Sequence, residues 1–221
     1  MHYNVNDCVI KSENAALSSR QKNSQIVKFI NDLDNCNNIL DYGCGKCRYS
    51  KLLCEKSNAL TLVDSEIQVN RIQIIHNERT TIREFARKRL NSSKVVTIEE
   101  IDTINDKYDF ILCSNVLSAI PLEEFRIKAL ENIYNLLSNN GIALISVQYR
   151  NSYFDTYKTN PNAQEHYDGW IIKSGNSYSF YGLIKPDALI DLCENVGLII
   201  KKKLLKDGSI YLFLEKESYV L

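Results

Sequence analysis

The stretch from Asn38 to Asp64, NILDYGCGKCRYSKLLCEKSNALTLVD, reads as one unit. An apolar pair, Ile39 and Leu40, runs into Asp41-Tyr42-Gly43-Cys44-Gly45. A polar helix start follows, and a second apolar run ends on Asp64. Two glycines directly after a strand let backbone come close to a ligand, and the N-terminus of the following helix offers free amides. An acid closing the next strand, about twenty residues on, suits the two hydroxyls of a ribose. Together these are the parts of a nucleotide-cofactor pocket.

Working outward, residues 1–23 are polar and unpatterned, and residues 24–33 carry Ile26, Val27, Phe29, Ile30 and Leu33 at helical spacing. Strands are expected at 39–40, 60–63, 94–98, 108–113 and 142–147, with helices near 48–56 and, as one long polar helix, 67–90. Pro121 is suited to a first helical position, with Glu123 and Glu124 at the positive end of the helix dipole. Phe125, Ala129, Leu130, Ile133, Tyr134 and Leu137 continue that helix until Asn139-Asn140-Gly141, where glycine suits a left-handed cap. Strands alternating with helices imply a parallel, doubly wound sheet. The end differs: a helix at 186–195 precedes two apolar runs, 198–205 and 209–214, flanking Asp207-Gly208, a strong antiparallel hairpin signal. The expected fold is therefore α/β: a seven-stranded, mostly parallel doubly wound sheet with a C-terminal antiparallel hairpin and an aromatic-rich insertion after the fifth strand. One domain spans 1–221.

The bulk numbers agree. The chain is 44% apolar and 24% charged, ordinary for a folded protein. No run of about eighteen apolar residues exists to span a bilayer, and the first residues lack the basic-then-apolar pattern of a signal peptide. A cytoplasmic protein is expected. Seven scattered cysteines are not a secreted disulfide framework. Lys+Arg and Asp+Glu balance at 27 each, so charge does not indicate a nucleic-acid partner.

Three readings of the glycine turn compete. A P-loop needs GxxxxGK[ST], which GCGKCRYS does not supply, and a GxGxxG dinucleotide fingerprint needs glycine where Arg48 stands. The third is the first motif of the class I S-adenosylmethionine-dependent methyltransferases, which the chain resembles over most of its length. Asp41, Gly43 and Gly45 match that motif, and Cys47 replaces its last, loosest glycine. The resemblance implies S-adenosylmethionine as cofactor, with S-adenosylhomocysteine as product. It also implies that Asp64 holds the ribose hydroxyls and that Ser114 and Asn115, just past the fourth strand, line the pocket near the transferable methyl.

Each residue has a plainer reading beside the functional one. Asp41 either pins the turn or meets the cofactor's amino-acid tail; Asp64 either accepts from the ribose or caps the next helix. Glu99 and Glu100 follow the third strand, where the family often has an adenine contact, but they also suit a solvated loop. Arg20 lies where some relatives meet the cofactor carboxylate, or is simply exposed. Residues 78–90 carry five basic side chains and read as a solvated face laced with Glu–Arg pairs. Cys44-Gly45-Lys46-Cys47 is a CxxC, yet no second CxxC exists and histidines occur only at 2, 76 and 166, so no metal site is expected.

For the methyl acceptor, Ser114-Asn115-Val116-Leu117 lacks the Pro-Pro-aromatic pattern of amino-methylating DNA enzymes. None of the three prolines is followed by the cysteine that carbon-5 pyrimidine chemistry needs. The acceptor is expected to be oxygen or nitrogen of a small molecule or of an exposed nucleotide or peptide group. Residues 149–182 hold nine of the chain's 21 aromatics, too many for a disordered loop, and are expected to form a substrate lid. Tyr153, Trp170 and Tyr181 could stack on a planar group there or pack the lid onto the sheet. His166 and Asp168 are its evident titratable groups, with His166 the candidate general base. The alternative is a non-catalytic S-adenosylmethionine-binding module or partner subunit. Oligomeric state is not legible.

Overall fold

A computed structural model describes residues 1–217. The chain opens on strands β1 (His2–Val5) and β2 (Cys8–Lys11), then α1 (Ser24–Asn31), β3 (Cys36–Tyr42), α2 (Ser50–Glu55), β4 (Ser57–Asp64) and α3 (Glu66–Asn70). Next come β5 (Gln73–Ile75), β6 (Glu78–Thr80), α4 (Ile82–Arg89), β7 (Ser93–Thr97), β8 (Tyr108–Ser114), α5 (Glu123–Leu136) and β9 (Leu137–Gln148). The insertion holds β10 (Ala163–His166), β11 (Gly169–Ser174) and β12 (Ser177–Gly182), and α6 (Pro186–Asn195), β13 (Leu198–Lys206) and β14 (Ser209–Lys216) end the fold.

The central sheet has seven strands in the order β13-β14-β9-β8-β3-β4-β7. All pairs from β9 to β7 are parallel, and β14 joins antiparallel to both β9 and β13. The sequence expectation of this architecture holds. Leu40, Ile111 and Ala143, from neighbouring strands, are fully buried on one face; Ile39, Leu112 and Leu144 are fully buried on the other. Residues packed on both faces explain why these strands read as continuous apolar runs. Asp207 and Gly208 both take left-handed backbone, at φ 49 and 73, as a tight primed turn requires. Among the described residues, no helix is long and apolar enough to cross a membrane.

Four expectations need correction. Residues 1–23 are not featureless: Asn6 and Asp7, at φ 46 and 61, turn β1 into β2, and Tyr3, Val5 and Ile10 are buried. The helix expected over 67–90 is two short helices split by the β5–β6 hairpin, whose turn residues His76 and Asn77 both have positive φ. Ile72, Ile74, Ile75, Thr80 and Thr81 are β-branched and suit strand better than helix. Helix α5 starts at Glu123 with Leu122 as its cap residue, two positions after Pro121. Gly141 is not a left-handed cap; it lies within β9, where a Cβ would stand 2.6 Å from the carbonyl oxygen of Tyr108. Glycine is needed there for space, not for handedness.

The insertion extends a second sheet, β1-β2-β12-β11-β10, that includes the N-terminal hairpin. Its seam is the single parallel pairing of Tyr178 on β12 with Ile10 on β2, reinforced by Asn14 Nδ2 donating to Ser177 Oγ at 2.7 Å. The 3-10 turn Ser12–Ala15 hangs from this seam, over the carboxyl ends of the central strands.

Candidate cofactor cleft

The chain runs β3, β4, β7 toward one edge of the sheet and then returns to place β8 on the other side of β3. A reversal of this kind leaves a crevice beyond the carboxyl ends of the two central strands, the usual ligand site of open α/β sheets. The cleft found there is floored by Asp41–Lys46 from β3, Asp64 from β4 and Ser114–Val116 from β8. It is roofed by Met1, Tyr3 and parts of Ser12–Leu17, with Phe125 and Lys128 of α5 along one side.

The glycine turn is held from below. The amides of Gly43 and Cys44 both donate to the Val63 carbonyl, at 2.8 and 3.0 Å, and Gln68 Nε2 donates to the Gly45 carbonyl at 2.6 Å. Gly43 and Gly45 have φ of 72 and 57. A Cβ on Gly43 would fall 2.3 Å from Val116 Cγ2, so glycine answers both the backbone hand and the space there. Cys47 also takes left-handed backbone, at φ 52, which shows how the turn continues without a third glycine. Its side chain finds room in the core behind the turn, fully buried and away from the cleft.

Two carboxylates rise from the floor of the cleft. Asp41 accepts from Ser50 Oγ at 2.6 Å, which pins the start of α2. Burial pushes its carboxyl up to about 7; the Ser50 bond opposes this and the nearby Asp64 charge adds to it. Asp64 accepts from the amides of Gly45 and Ser65, each at 2.8 Å, yet burial still holds its pKa above the ordinary carboxylate value. The helix-capping role open to Asp64 falls instead to Ser65, whose Oγ accepts from the Gln68 amide. An ionised carboxylate has about four acceptor sites, so Asp64 keeps capacity for a ligand.

Asp41, Gly43, Gly45, Asp64, Ser114 and Asn115 thus converge on one cleft. Ser114 is fixed by Ser146 Oγ at 3.1 Å, and Asn115 by its amide to the Ser146 carbonyl at 2.8 Å. The other candidates lie elsewhere. Arg20 is exposed and donates to Asn77 Oδ1 on the β5–β6 turn. Glu100 folds back on Thr97 in a capping box, and Glu99 accepts from the Glu66 amide. Tyr153 is exposed and packs on Tyr157; Trp170 and Tyr181 sit opposite each other across β11–β12. None of residues 149–182 lines the cleft. His166 Nε2 lies 3.1 Å from the Pro121 carbonyl, to which it can only donate, and it too is outside the cleft. Asp168 pairs with buried Arg126.

Three residues that sequence reasoning passed over carry the clearest ligand signal. Arg48 Nη2, Gln68 Oε1 and Glu13 Oε2 belong to cleft-lining residues, are buried, and have no hydrogen-bond partner. Buried polar groups are nearly always paired, so each calls for something to fill the cleft. A base directly after the glycine turn was a usable signal for Arg48; nothing in the polar N-terminal stretch marked Glu13.

Comparison with known proteins decides the family. A sequence family described as a methyltransferase domain matches residues 15–200. The chain belongs to the class I S-adenosylmethionine-dependent methyltransferases, whose cofactor is S-adenosylmethionine. It is 38% identical over 211 residues to the uncharacterized protein YmfD of Escherichia coli strain K12, covering 96% of this chain and 94% of that one. In fold it is similar to an S-adenosylmethionine-dependent methyltransferase from Clostridium acetobutylicum, with a TM-score of 0.64 at 15% identity over 93% and 94% of the two chains. It is also similar to the N-methyltransferase NodS from Bradyrhizobium japonicum bound to S-adenosylhomocysteine, with a TM-score of 0.58 at 12% identity over 88% and 87%.

Proposed function

We propose that the chain is an active methyltransferase that moves the methyl group of S-adenosylmethionine onto oxygen or nitrogen of a small molecule or of an exposed nucleotide or peptide group. The observation that carries this reading is the buried, unpartnered donor Nη2 of Arg48, a residue that lines the cleft beside the close-approach turn of Gly43 and Gly45. A guanidinium so placed matches a carboxylate. Asp41 fits the neighbouring ammonium of the amino-acid tail, and Asp64 the ribose hydroxyls. The orphaned acceptor Gln68 Oε1 adds a second polar contact at the turn.

When bound, S-adenosylmethionine supplies an electrophilic methyl on a sulfonium, so the carbon–sulfur bond breaks as the new bond to the acceptor forms. The protein's task is alignment, which can contribute several kcal/mol without an invariant base. Ser114 and Asn115, both fixed by Ser146, are the polar groups at the β8 end of the cleft that support acceptor placement. His166, held at the Pro121 carbonyl outside the cleft, is not assigned as base.

Calorimetry with S-adenosylhomocysteine on wild type and Asp64→Ala tests the cofactor half. Micromolar binding by wild type, weakened at least tenfold by the substitution, is expected. Methyl-labelled cofactor incubated with separated small-molecule, protein and nucleic-acid fractions tests the transfer. Label entering none of them, with binding intact, would point instead to a non-catalytic binding module.

A further inference from the structure

The roof of the cleft carries a carboxylate with one oxygen that no hydrogen bond uses. Glu13 belongs to the 3-10 turn Ser12–Ala15, and its side chain is only 6% exposed. Oε1 lies 3.0 Å from His2 Nε2. Oε2 is buried with no hydrogen bond, and its nearest cation, the Met1 amino nitrogen at 3.8 Å, is too distant to make one. Burial alone would raise the Glu13 pKa. Hydrogen bonds from its own backbone amide and from His2 outweigh this and hold it below the ordinary value, so the group is ionised at neutral pH. A buried, charged oxygen left without a donor is costly, and the cost disappears when a ligand supplies the proton.

The position of Glu13 narrows which donor that is. Its backbone carbonyl accepts from Arg71 Nη2 at 2.7 Å, and Arg71 ends α3, the helix that follows Asp64. Glu13 and Asp64 line the same cleft. Three residues further on, Ala16 Cβ lies 3.7 Å from where a Cβ on Gly45 would stand, so the turn sits directly over the glycine loop. Arg48 and Asp41 already suit the charged tail. Of the remaining donors, the ribose hydroxyls stand beside Asp64 in this placement, whereas the adenine amino group is at the far end of the nucleoside.

We propose that Glu13 accepts a hydrogen bond from a ribose hydroxyl of bound S-adenosylmethionine, acting from the roof as Asp64 acts from the sheet, and that this bond is what closes residues 12–17 over the adenosine. The inference rests on the cofactor placement above. It makes the N-terminal segment part of the cofactor site through Glu13, a residue that its unpatterned sequence does not single out.

The test uses the full chain with two ligands: S-adenosylhomocysteine, and 5′-methylthioadenosine, which has the ribose but lacks the amino-acid tail. Glu13→Ala is expected to weaken both by about tenfold, whereas the isosteric Glu13→Gln, which keeps an acceptor oxygen, loses about threefold. Hydrogen exchange at the amides of residues 13–17 should slow when either ligand binds wild type, and should not slow in Glu13→Ala. If wild type binds neither ligand, the cofactor placement itself fails. If wild type binds and both variants bind equally well with the same protection, the Glu13 role is overturned. A loss confined to S-adenosylhomocysteine would assign Glu13 to the tail and overturn the ribose contact.

Discussion

Arg126 on α5 forks onto Asp168 of the insertion through two bonds, Nη1 to Oδ2 at 2.6 Å and Nη2 to Oδ1 at 2.8 Å. Arg126 is only 1% exposed and spends its Nε on the Ile120 carbonyl at 2.9 Å, so the guanidinium is fully engaged. Its faces lie 5.3 Å from the Tyr167 ring and 5.9 Å from the Phe180 ring. This pair, not a substrate contact, accounts for Asp168 and ties the insertion to the body of the fold.

Removing one half of it should be costly. Asp168→Ala leaves a buried cation unpaired and is expected to destabilise the protein by about 3 kcal/mol, the lower end of the range because Asp168 is partly exposed. Replacing both residues by apolar ones, as in Arg126→Met with Asp168→Leu, should recover much of that loss in urea denaturation. A single variant as stable as wild type would show that the pair holds nothing together.

Gly43 makes a two-part prediction. Gly43→Ala must accept left-handed backbone, at about 1–2 kcal/mol, and must also push its new methyl against Val116 Cγ2. Binding of S-adenosylhomocysteine should fall more than tenfold. Adding Val116→Ala removes the steric part and should restore a portion of the affinity, leaving the backbone penalty. Failure of the second change to help would mean that the Val116 contact is not the obstacle.

Arg48 separates tail recognition from the rest of the site. Arg48→Ala should weaken S-adenosylhomocysteine by about tenfold to a hundredfold, the range for a charge-assisted hydrogen bond. It should leave 5′-methylthioadenosine unaffected, because that ligand has no carboxylate. Stability without ligand should be unchanged or slightly higher, since an unpaired buried donor has been removed. Equal losses for both ligands would refute the assignment.

Asp41 gives a pH dependence of definite sign. Its folded carboxyl titrates at about 7, whereas in the unfolded chain it titrates at about 3.9. Between those values the folded state holds a proton that the unfolded state has lost, so stability falls as pH rises through the window and is level above it. Over the whole window the effect is on the order of 4 kcal/mol. Asp64, whose pKa is also raised, adds in the same direction; Glu13, whose pKa is lowered, opposes it. The difference between wild type and Asp41→Asn, followed by urea denaturation from about pH 5 to about pH 8, isolates the Asp41 share. Parallel curves would show that the carboxyl is ionised throughout.

Cys47→Gly restores the residue that the family motif has at this position. It relieves the positive φ but removes a buried thiol, so a net loss of about 1 kcal/mol in stability is expected. Cofactor affinity should stay within about twofold of wild type, because the Cys47 side chain faces the core and not the cleft. A large change in affinity would place the thiol in the site after all.

The central sheet was legible because its strands are buried on both faces and so read as apolar runs, each closed by a turn whose chemistry is local. Asp207-Gly208 and the Gly43–Gly45 turn announce themselves within a few residues. Asp41, Asp64, Ser114 and Asn115 could be placed because each stands directly after, or at the end of, such a strand. What escaped has no local signature. Glu13 enters the cleft only because β2 pairs with a strand more than 160 residues later, and Arg126 became informative only once Asp168 met it. The β5–β6 hairpin was hidden by charged residues at spacings that also fit a helix, although its β-branched residues favour strand. Aromatic density at residues 149–182 is real packing: it bears on Arg126, on Trp170 against Tyr181 and on the sheet shared with β1 and β2, and it lies outside the cofactor cleft.

The seam between Tyr178 and Ile10 separates two tasks that share one cleft. Floor residues answer to an invariant chemical partner and are constrained by it. The ceiling is suspended from β12, an interior strand of the second sheet that lies outside the cleft, so substitutions along β10–β12 can tilt it by small amounts while the floor stays intact. What the cleft admits can therefore be tuned from a strand remote from it, and a search for selectivity determinants confined to the cleft walls would miss that lever.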